Sequence, residues 1–395
     1  MTLSSIQPFV RDRLTWLAYA MLAYIGFTQS MLGPLMPVLR NELHLNYTLG
    51  GSLPAALATG LILTGIAGDW LARHWSRSAV FWSGSIGMMT GAILLGLSHQ
   101  YLLIFIAVLG IGFGSSLTQV MIQALLADRH GEQRAIAFTE ANVAASLSTT
   151  LTPLVIGSLQ SVDIGWRAMP VLVVIFLMLL TTFFHRDSIP NSAAGGPQSV
   201  NGAGHLPFSF WLYWIVLFLV VAAEMSMVIW ATDFLVSVVG LSYTNAVLAF
   251  GTFPAAMLIG RLVGSRLTRR WSSIILLLTA LVITLIGFLI FWLARLTTPN
   301  ILGLFISGLG IANLFPLTLS IAVGLAADQA NQASARVSLG IGTALLTAPL
   351  FLGWLADRLG LQNAYGMVIA LVIAASALII MNNRLLLERR VTANL

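Results

Sequence analysis

Twelve times along the chain the sequence runs apolar for about twenty residues, the length an α-helix needs to cross the hydrocarbon core of a bilayer. The stretches cover 14–37, 48–68, 78–97, 101–126, 134–160 and 166–184, then 209–236, 242–265, 273–295, 300–325, 334–355 and 363–383. Apolar residues make up 58% of the chain and charged ones 8%, against about 25% charged in an ordinary soluble domain. A water-soluble globule cannot hide that much apolar surface, so the bilayer must act as solvent. A continuous helix satisfies its own backbone there. The expected fold class is an all-α polytopic membrane protein.

The stretches fall into two groups of six. Between them lies "HRDSIPNSAAGGPQSVNGAGH" (185–205), whose Gly, Ser, Asn and Pro read as a flexible linker. The expected organisation is an N-terminal six-helix bundle over 1–184, a cytoplasmic linker over 185–208 and a C-terminal bundle over 209–395. Arginine placement sets the orientation. With the N-terminus inside, the inner segments hold Arg11, Arg13, Arg73, Arg77, Arg129, Arg134, Arg186, Arg266, Arg269, Arg270, Arg336, Arg384, Arg389 and Arg390, and the outer loops only Arg40, Arg167, Arg295 and Arg358. That imbalance follows the positive-inside rule and predicts cytoplasmic termini in a bacterial inner membrane. The first apolar run is too long for a signal-peptide core and lacks a small-residue cleavage site, so it reads as a span.

Several functions are excluded. There is no cysteine, hence no disulfide framework, thiolate metal site or cysteine nucleophile. The 19 basic residues are all arginine and lie scattered in short loops, which speaks against nucleic acid as a partner. The six histidines sit in loops or near helix ends without metal-ligand spacing. No phosphate-binding G-x-x-x-x-G-K loop is possible in a chain without lysine. No cofactor is expected, nor enzymatic chemistry.

The sequence also repeats itself. "GDWLARHWS" (68–76) returns as "GSRLTRRWS" (264–272), "LNYT" (45–48) as "LSYT" (241–244), and "TPLVIG" (152–157) as "APLFLG" (348–353), each 196 residues later. "GIGFGSS" (110–116) and "GLGIANL" (308–314) share a Gly-x-Gly pattern at an offset of 198. Two related six-helix halves in parallel orientation are an organisation found among secondary transporters.

Six plus six helices, a long central loop and a Gly/Arg motif in loops 2–3 and 8–9 resemble the major facilitator superfamily over nearly the whole chain. The family's loop motif, G-x-x-x-D-R-x-G-R-[RK], is altered here: Ala72 replaces the acid, Trp75 the second glycine and Ser76 the first basic residue of the final pair, while Asp69 lies three residues early. "WATDFLVSVVGLS" and "GLGIANLFPLTL" are similar to bacterial fucose-permease-like members. The resemblance implies a fold of 12 transmembrane helices as two pseudo-symmetric six-helix bundles. It also implies alternating access around a midplane site lined mainly by helices 1, 4, 7 and 10.

Polar residues at that depth are costly, which makes them functional candidates. Glu224 lies near the centre of helix 7, where a carboxyl that is neutral when buried and ionised when hydrated suits a proton carrier. Its repeat partner is Thr28, followed by Gln29. Helix 4 carries Gln119 and Gln123 on one face with Ser115, and helix 5 carries Asn142, Ser146 and Thr149. Asn313 follows two glycines in helix 10, and Tyr24 and Trp230 are candidates for stacking on a solute. Against each stands plain interhelical packing.

Three sets of charges suggest gates. Asp69 is expected near the start of helix 11, where Arg336 and the positive helix end attract it; Arg73 belongs to the same loop. Arg266, Arg269 and Arg270 are expected to face Asp128 and Glu132. Glu140 in helix 5 and Arg261 in helix 8, judged to lie at equal depth, are expected to pair across the seam, with Glu140 a second acid for the proton path. The resulting reading is a monomeric secondary transporter of a small polar, sugar-like solute, coupled to protons. The alternatives are a proton-antiport exporter of amphipathic compounds and an organic-anion carrier in which Arg261 holds a carboxylate.

Overall fold

The computed structural model describes residues 9–184, 187, 189–190, 206–326 and 329–393, without the side chains of 66–69, 72–73, 330–331 and 385–393. Most of the expected linker therefore lies outside the described residues, as do the side chains of Asp69 and Arg73. The first half comprises α1 (Arg13–Gln29), α2 (Leu32–Glu42), α3 (Tyr47–His74), α4 (Arg77–Leu97), α5 (Tyr101–His130), α6 (Arg134–Ser161) and α7 (Met169–Phe184). The second comprises α8 (Phe208–Ser237), α9 (Tyr243–Phe250), α10 (Thr252–Leu267), α11 (Ser273–Leu293), α12 (Thr297–Gly324), α13 (Ala330–Leu359), α14 (Leu361–Tyr365) and α15 (Met367–Ala393).

Helix continuity alone yields 11 segments long and apolar enough to cross a membrane. One of them, Tyr101–Ser161, has 61 residues, about 90 Å of helix and three times the hydrocarbon thickness. It turns back at Gly131, whose φ of +50° ends α5 before a short 3₁₀ turn leads into α6. The chain thus crosses twelve times. The first span is α1 with α2, broken at Ser30, and the eighth is α9 with α10, broken at Gly251.

The 196-residue echo has a local structural cause. Ser76 accepts a hydrogen bond from the Ala79 amide at the start of α4, and Ser272 does the same for Ile275 at the start of α11. Asn46 and Ser242 cap α3 and α9 through Leu49 and Asn245. Each satisfies one amide that has no partner within its helix. The glycines follow the same register. Gly112 lies on the Leu57 carbonyl and Gly308 on that of Phe253, while Gly114 lies on Gly84 and Gly310 on Ala280, all too close for a side chain. The Gly-x-Gly offset is therefore 196, not 198. The run Gly110, Gly112, Gly114 permits two alignments, and backbone crossing selects the second.

The two halves meet at the end of the molecule opposite the termini. There Gly33 lies on the Val228 carbonyl, Gly51 on Pro349 and Gly353 on Tyr47, so α2 packs on α8 and α3 on α13. At the terminus end, among the described residues, a single hydrogen bond joins the halves, from Arg261 to Ser146.

Candidate functional site

A cavity of about 260 Å³ lies between the halves, at the break that ends α1. Ser30 reaches it from that break, Asn142, Ser146 and Thr149 from α6, Glu224 from α8 and Arg261 from α10. The facing wall is apolar: Val228, Phe250, Phe253, Pro254, Met257 and Leu258. The α6 residues recur at one-turn spacing, which places them on a single face.

Arg261 donates from Nη1 to Ser146 Oγ at 3.0 Å and makes no ion pair among the described residues. Glu224 shares the cavity with it. The site therefore holds one fixed cation, one carboxyl, an amide and a row of hydroxyls against a hydrocarbon wall. Such an arrangement has the chemistry to bind and orient a small charged or polar solute. Among the described residues no cluster of His, Cys, Asp and Glu could hold a metal.

Of the residues singled out in the sequence, Asn142, Ser146, Thr149, Glu224 and Arg261 come together here. The others lie elsewhere. Thr28 spends its hydroxyl on the Tyr24 carbonyl at 2.8 Å, and Gln29 bonds Ser115 at 2.6 Å. Tyr24 is buried edge-on against Phe176. Trp230 is buried too, donating to the Pro349 carbonyl at 3.1 Å. Gln119 and Gln123 do not line the cavity, and Gln123 is exposed. Asn313 donates to the Gly260 carbonyl at 2.8 Å, joining α10 to α12.

The expected Glu140–Arg261 bridge is not formed. Glu140 is taken by Arg11, at 2.5 and 2.8 Å, and by the Tyr19 hydroxyl at 2.9 Å. The expected match in depth also fails: Arg261 lies opposite Ser146, six residues and about 9 Å along α6 from Glu140. Asp128 likewise pairs with Arg77 of its own half at 2.5 Å rather than with the α10–α11 loop. Arg266, Arg269 and Arg270 are exposed and make no ion pair among the described residues. The Arg336 carbonyl accepts from Trp214 at 2.7 Å. Further staples of the first half join Arg13 to Asp187 at 3.0 Å and Asp12 to Arg129. Burial opposes ionisation of Asp12, but hydrogen bonds from Thr15 and Arg129 outweigh it and hold the carboxyl below its ordinary range.

Sequence reasoning missed the most buried charges that join the halves. Arg40 of α2 donates to Asp233 of α8 at 2.6 Å, with side chains only 15% and 1% exposed. The Arg40 guanidinium stacks on Tyr47 at 3.4 Å. Nearby, Asp357 of α13 accepts from the Tyr47 and Thr48 amides at 2.7 and 2.8 Å. Arg40 and Asp233 line a second, polar vestibule of about 660 Å³ with Asn41, His44, Gln160, Ser237 and Tyr243. The available signal was a second acid nine residues beyond Glu224 in one apolar stretch.

The model of the Major Facilitator Superfamily matches residues 18–326. The chain belongs to that superfamily. A curated relative, an uncharacterized MFS-type transporter of Yersinia pestis, is 25% identical over 388 residues, covering 94% of this chain and 97% of the relative. The cyanate transport protein CynX of Escherichia coli (strain K12) is 23% identical over 303 residues, 74% and 76% of the two chains. Among solved structures, a bacterial homolog to the human lysosomal transporter Spinster superposes in its inward-facing, occupied form with a TM-score of 0.79, at 15% identity over 95% of this chain and 98% of that one. Its unoccupied form gives 0.75 over 97% and 99%, also at 15% identity. These confirm the fold of twelve helices in two six-helix bundles, and the family makes the chain a multi-pass membrane transporter.

Proposed function

We propose that the chain moves a small organic anion across a bacterial inner membrane by alternating access, coupled to protons through Glu224. The observation that carries this reading is Arg261, a cation inside the cavity whose hydrogen bond goes to a neutral hydroxyl. Its guanidinium is exposed to the cavity, where an anionic solute complements its charge. The guanidinium binds a carboxylate through two parallel hydrogen bonds. The apolar wall suits a hydrocarbon or aromatic body. A volume of about 260 Å³ falls below the range of roughly 300–1,000 Å³ typical for drug-sized ligands, which favours a small solute over the large amphiphiles of an exporter. The relative named for cyanate carries an anion in its name, in agreement with the charge of the site.

The arginine bias makes the terminus end cytoplasmic, so the structure is read as inward-facing and the far-end seam as the closed outer gate. The two superposed structures of the Spinster homolog are likewise inward-facing. One chain holds the whole path, consistent with a working monomer. A sugar-like solute is the second reading, supported by the row Asn142, Ser146 and Thr149 along α6, which can hydrogen-bond hydroxyls. Reconstitution into liposomes with an external pH dye separates the two. Benzoate is expected to drive alkalinisation outside while uncharged hexoses do not. Hexose-driven alkalinisation with inert benzoate would replace the anion by a sugar.

A further inference from the structure

The vestibule at the far end contains a charge pair that the central site does not explain. Arg40 belongs to the first half and Asp233 to the second, so the far end cannot open unless they part. The other polar link across this seam is of a different kind. Asp357 is exposed and Thr48 half-buried, and water can replace their hydrogen bonds at little cost. Asp233 is almost fully buried and Arg40 largely so, and parting them leaves each charge without its partner.

Each partner is held in a setting that keeps it there. Arg40 is stacked on Tyr47 of α3, and its Nε is buried with no partner. Asp233 accepts from Ser237 at 2.7 Å. The other titratable groups around the pair include Tyr243 of α9 and His44 in the vestibule, Glu42 of α2, which is paired with Arg167, Tyr365 of α14 and Asp357 of α13. Asp357 acts on Arg40 electrostatically, but its carboxylate is already held by the Tyr47 and Thr48 amides. A cation needs an anion and a carboxylate needs a proton, and those are the two species the proposed transport cycle brings from outside.

We propose that Arg40 and Asp233 form an outer solute site, in which an organic anion takes the place of Asp233 on Arg40 while a proton from the outer water neutralises Asp233, so that the far end opens when both arrive. Either one alone leaves an unanswered buried charge. When the solute moves on and Arg40 returns, the proton leaves Asp233 for the water of the outer vestibule and the pair re-forms. This rests on the anion reading above. It adds a second site for the same class of ligand and an acid requirement for opening that is separate from the proton Glu224 carries.

The absence of cysteine gives a clean reporter. Ile229 is buried on α8 where Gly33 of α2 approaches, so Ile229→Cys should react with an impermeant maleimide added outside only when the far end opens. In right-side-out vesicles carrying the full chain, labelling is expected to rise about tenfold when benzoate and acid pH are combined, a shift of about 1.4 kcal/mol. Neither condition alone should raise it. Asp233→Asn should remove the requirement for acid and keep that for benzoate. Arg40→Gln should remove the requirement for benzoate and keep that for acid. The double variant, with no charge left to strand, should label under all conditions, and it covers the case of a single variant that fails to fold. Labelling indifferent to benzoate and pH would mean that water alone opens the pair, which overturns the site. Benzoate uptake in the same vesicles separates the two ideas: uptake with indifferent labelling sinks the outer site alone, and hexose uptake without benzoate uptake sinks the anion reading beneath it.

Discussion

Replacing Arg261 by Gln keeps a hydrogen-bonding side chain but removes the charge that answers an anion. Hydrogen bonds to charged groups are worth about 1.5–3 kcal/mol, so Arg261→Gln should weaken carboxylate binding on the order of ten- to a hundredfold, read as a rise in KM or in the Kd from equilibrium binding. Arg261→Lys, with charge but no planar fork, should fall between the two. An unchanged KM for benzoate in Arg261→Gln would remove the arginine from the site. Glu224 makes a different prediction. Glu224→Gln cannot carry a proton, so accumulation driven by a pH gradient should vanish while exchange of solute across the membrane survives. Persisting uphill uptake would end its role as carrier. Both residues were legible in the sequence because a charge inside an apolar stretch stands out in one dimension. Their partners were not. Which neighbour Arg261 meets depends on the rotation and sliding of α10 against α6, and Glu140 was lost to Arg11, a residue outside every apolar stretch. Arg40 escaped notice because an arginine in the last turn of a helix is ordinary, both as a cap for the dipole and as a snorkelling side chain.

The spans themselves could be read from the sequence, since apolar length needs no knowledge of neighbours. Their breaks at Ser30 and Gly251 have a local signal in Pro34 and Pro254, whose rings crowd the carbonyls of Ser30 and Phe250. But Pro54, Pro153, Pro316 and Pro349 sit inside unbroken helices, so proline alone did not give the breaks. The echo was visible as letters, and its meaning lies in helix starts and helix crossings. Gly112 and Gly308 make the crossings testable. An added methyl at either would run into a backbone carbonyl of the neighbouring helix, so Gly112→Ala and Gly308→Ala should each cost about 1–3 kcal/mol. Gly110, with open space around its Cα, should tolerate the same change, and equal loss of thermal stability at all three positions would contradict the register. The staple at the start of α1 is testable through pH. The Asp12 carboxyl is held below its ordinary range. Its contribution is therefore full above about pH 4 and fades as pH falls through the lower folded value. Asp12→Asn keeps a good helix cap and discards the charge facing Arg129. Accessibility of a cysteine at Phe9, which packs on His130 at 4.7 Å, should rise in acid for the parent chain. In Asp12→Asn it should be high and flat, and a parent profile flat down to pH 3 would sever the link to Asp12.

At the scale of the whole molecule the two halves are unequal in charge. The first half pairs three of its acids internally at the terminus end, with Arg11 on Glu140, Arg77 on Asp128 and Arg129 on Asp12. The second presents Arg266, Arg269 and Arg270 without an acid among the described residues. Cohesion between the halves is concentrated at the far end, where glycines bring backbones together and Arg40, Asp233 and Asp357 bridge the seam. Two rigid bundles joined mainly at one end can pivot, because separating that end breaks few bonds inside either bundle. If transport is that pivot, a covalent tie across the far seam must stop it whatever the solute. Thr48→Cys with Asp357→Cys places two thiols where a side chain already meets the start of α3, and no native cysteine competes for the reagent. A short reducible crosslinker should abolish transport, and reduction should restore it. Binding of benzoate from the terminus side should persist while the tie is in place, because the cavity of Arg261 and Glu224 lies beyond the linked end. Transport at the uncrosslinked rate in fully tied protein would mean that the seam at α3 and α13 is not the one that opens.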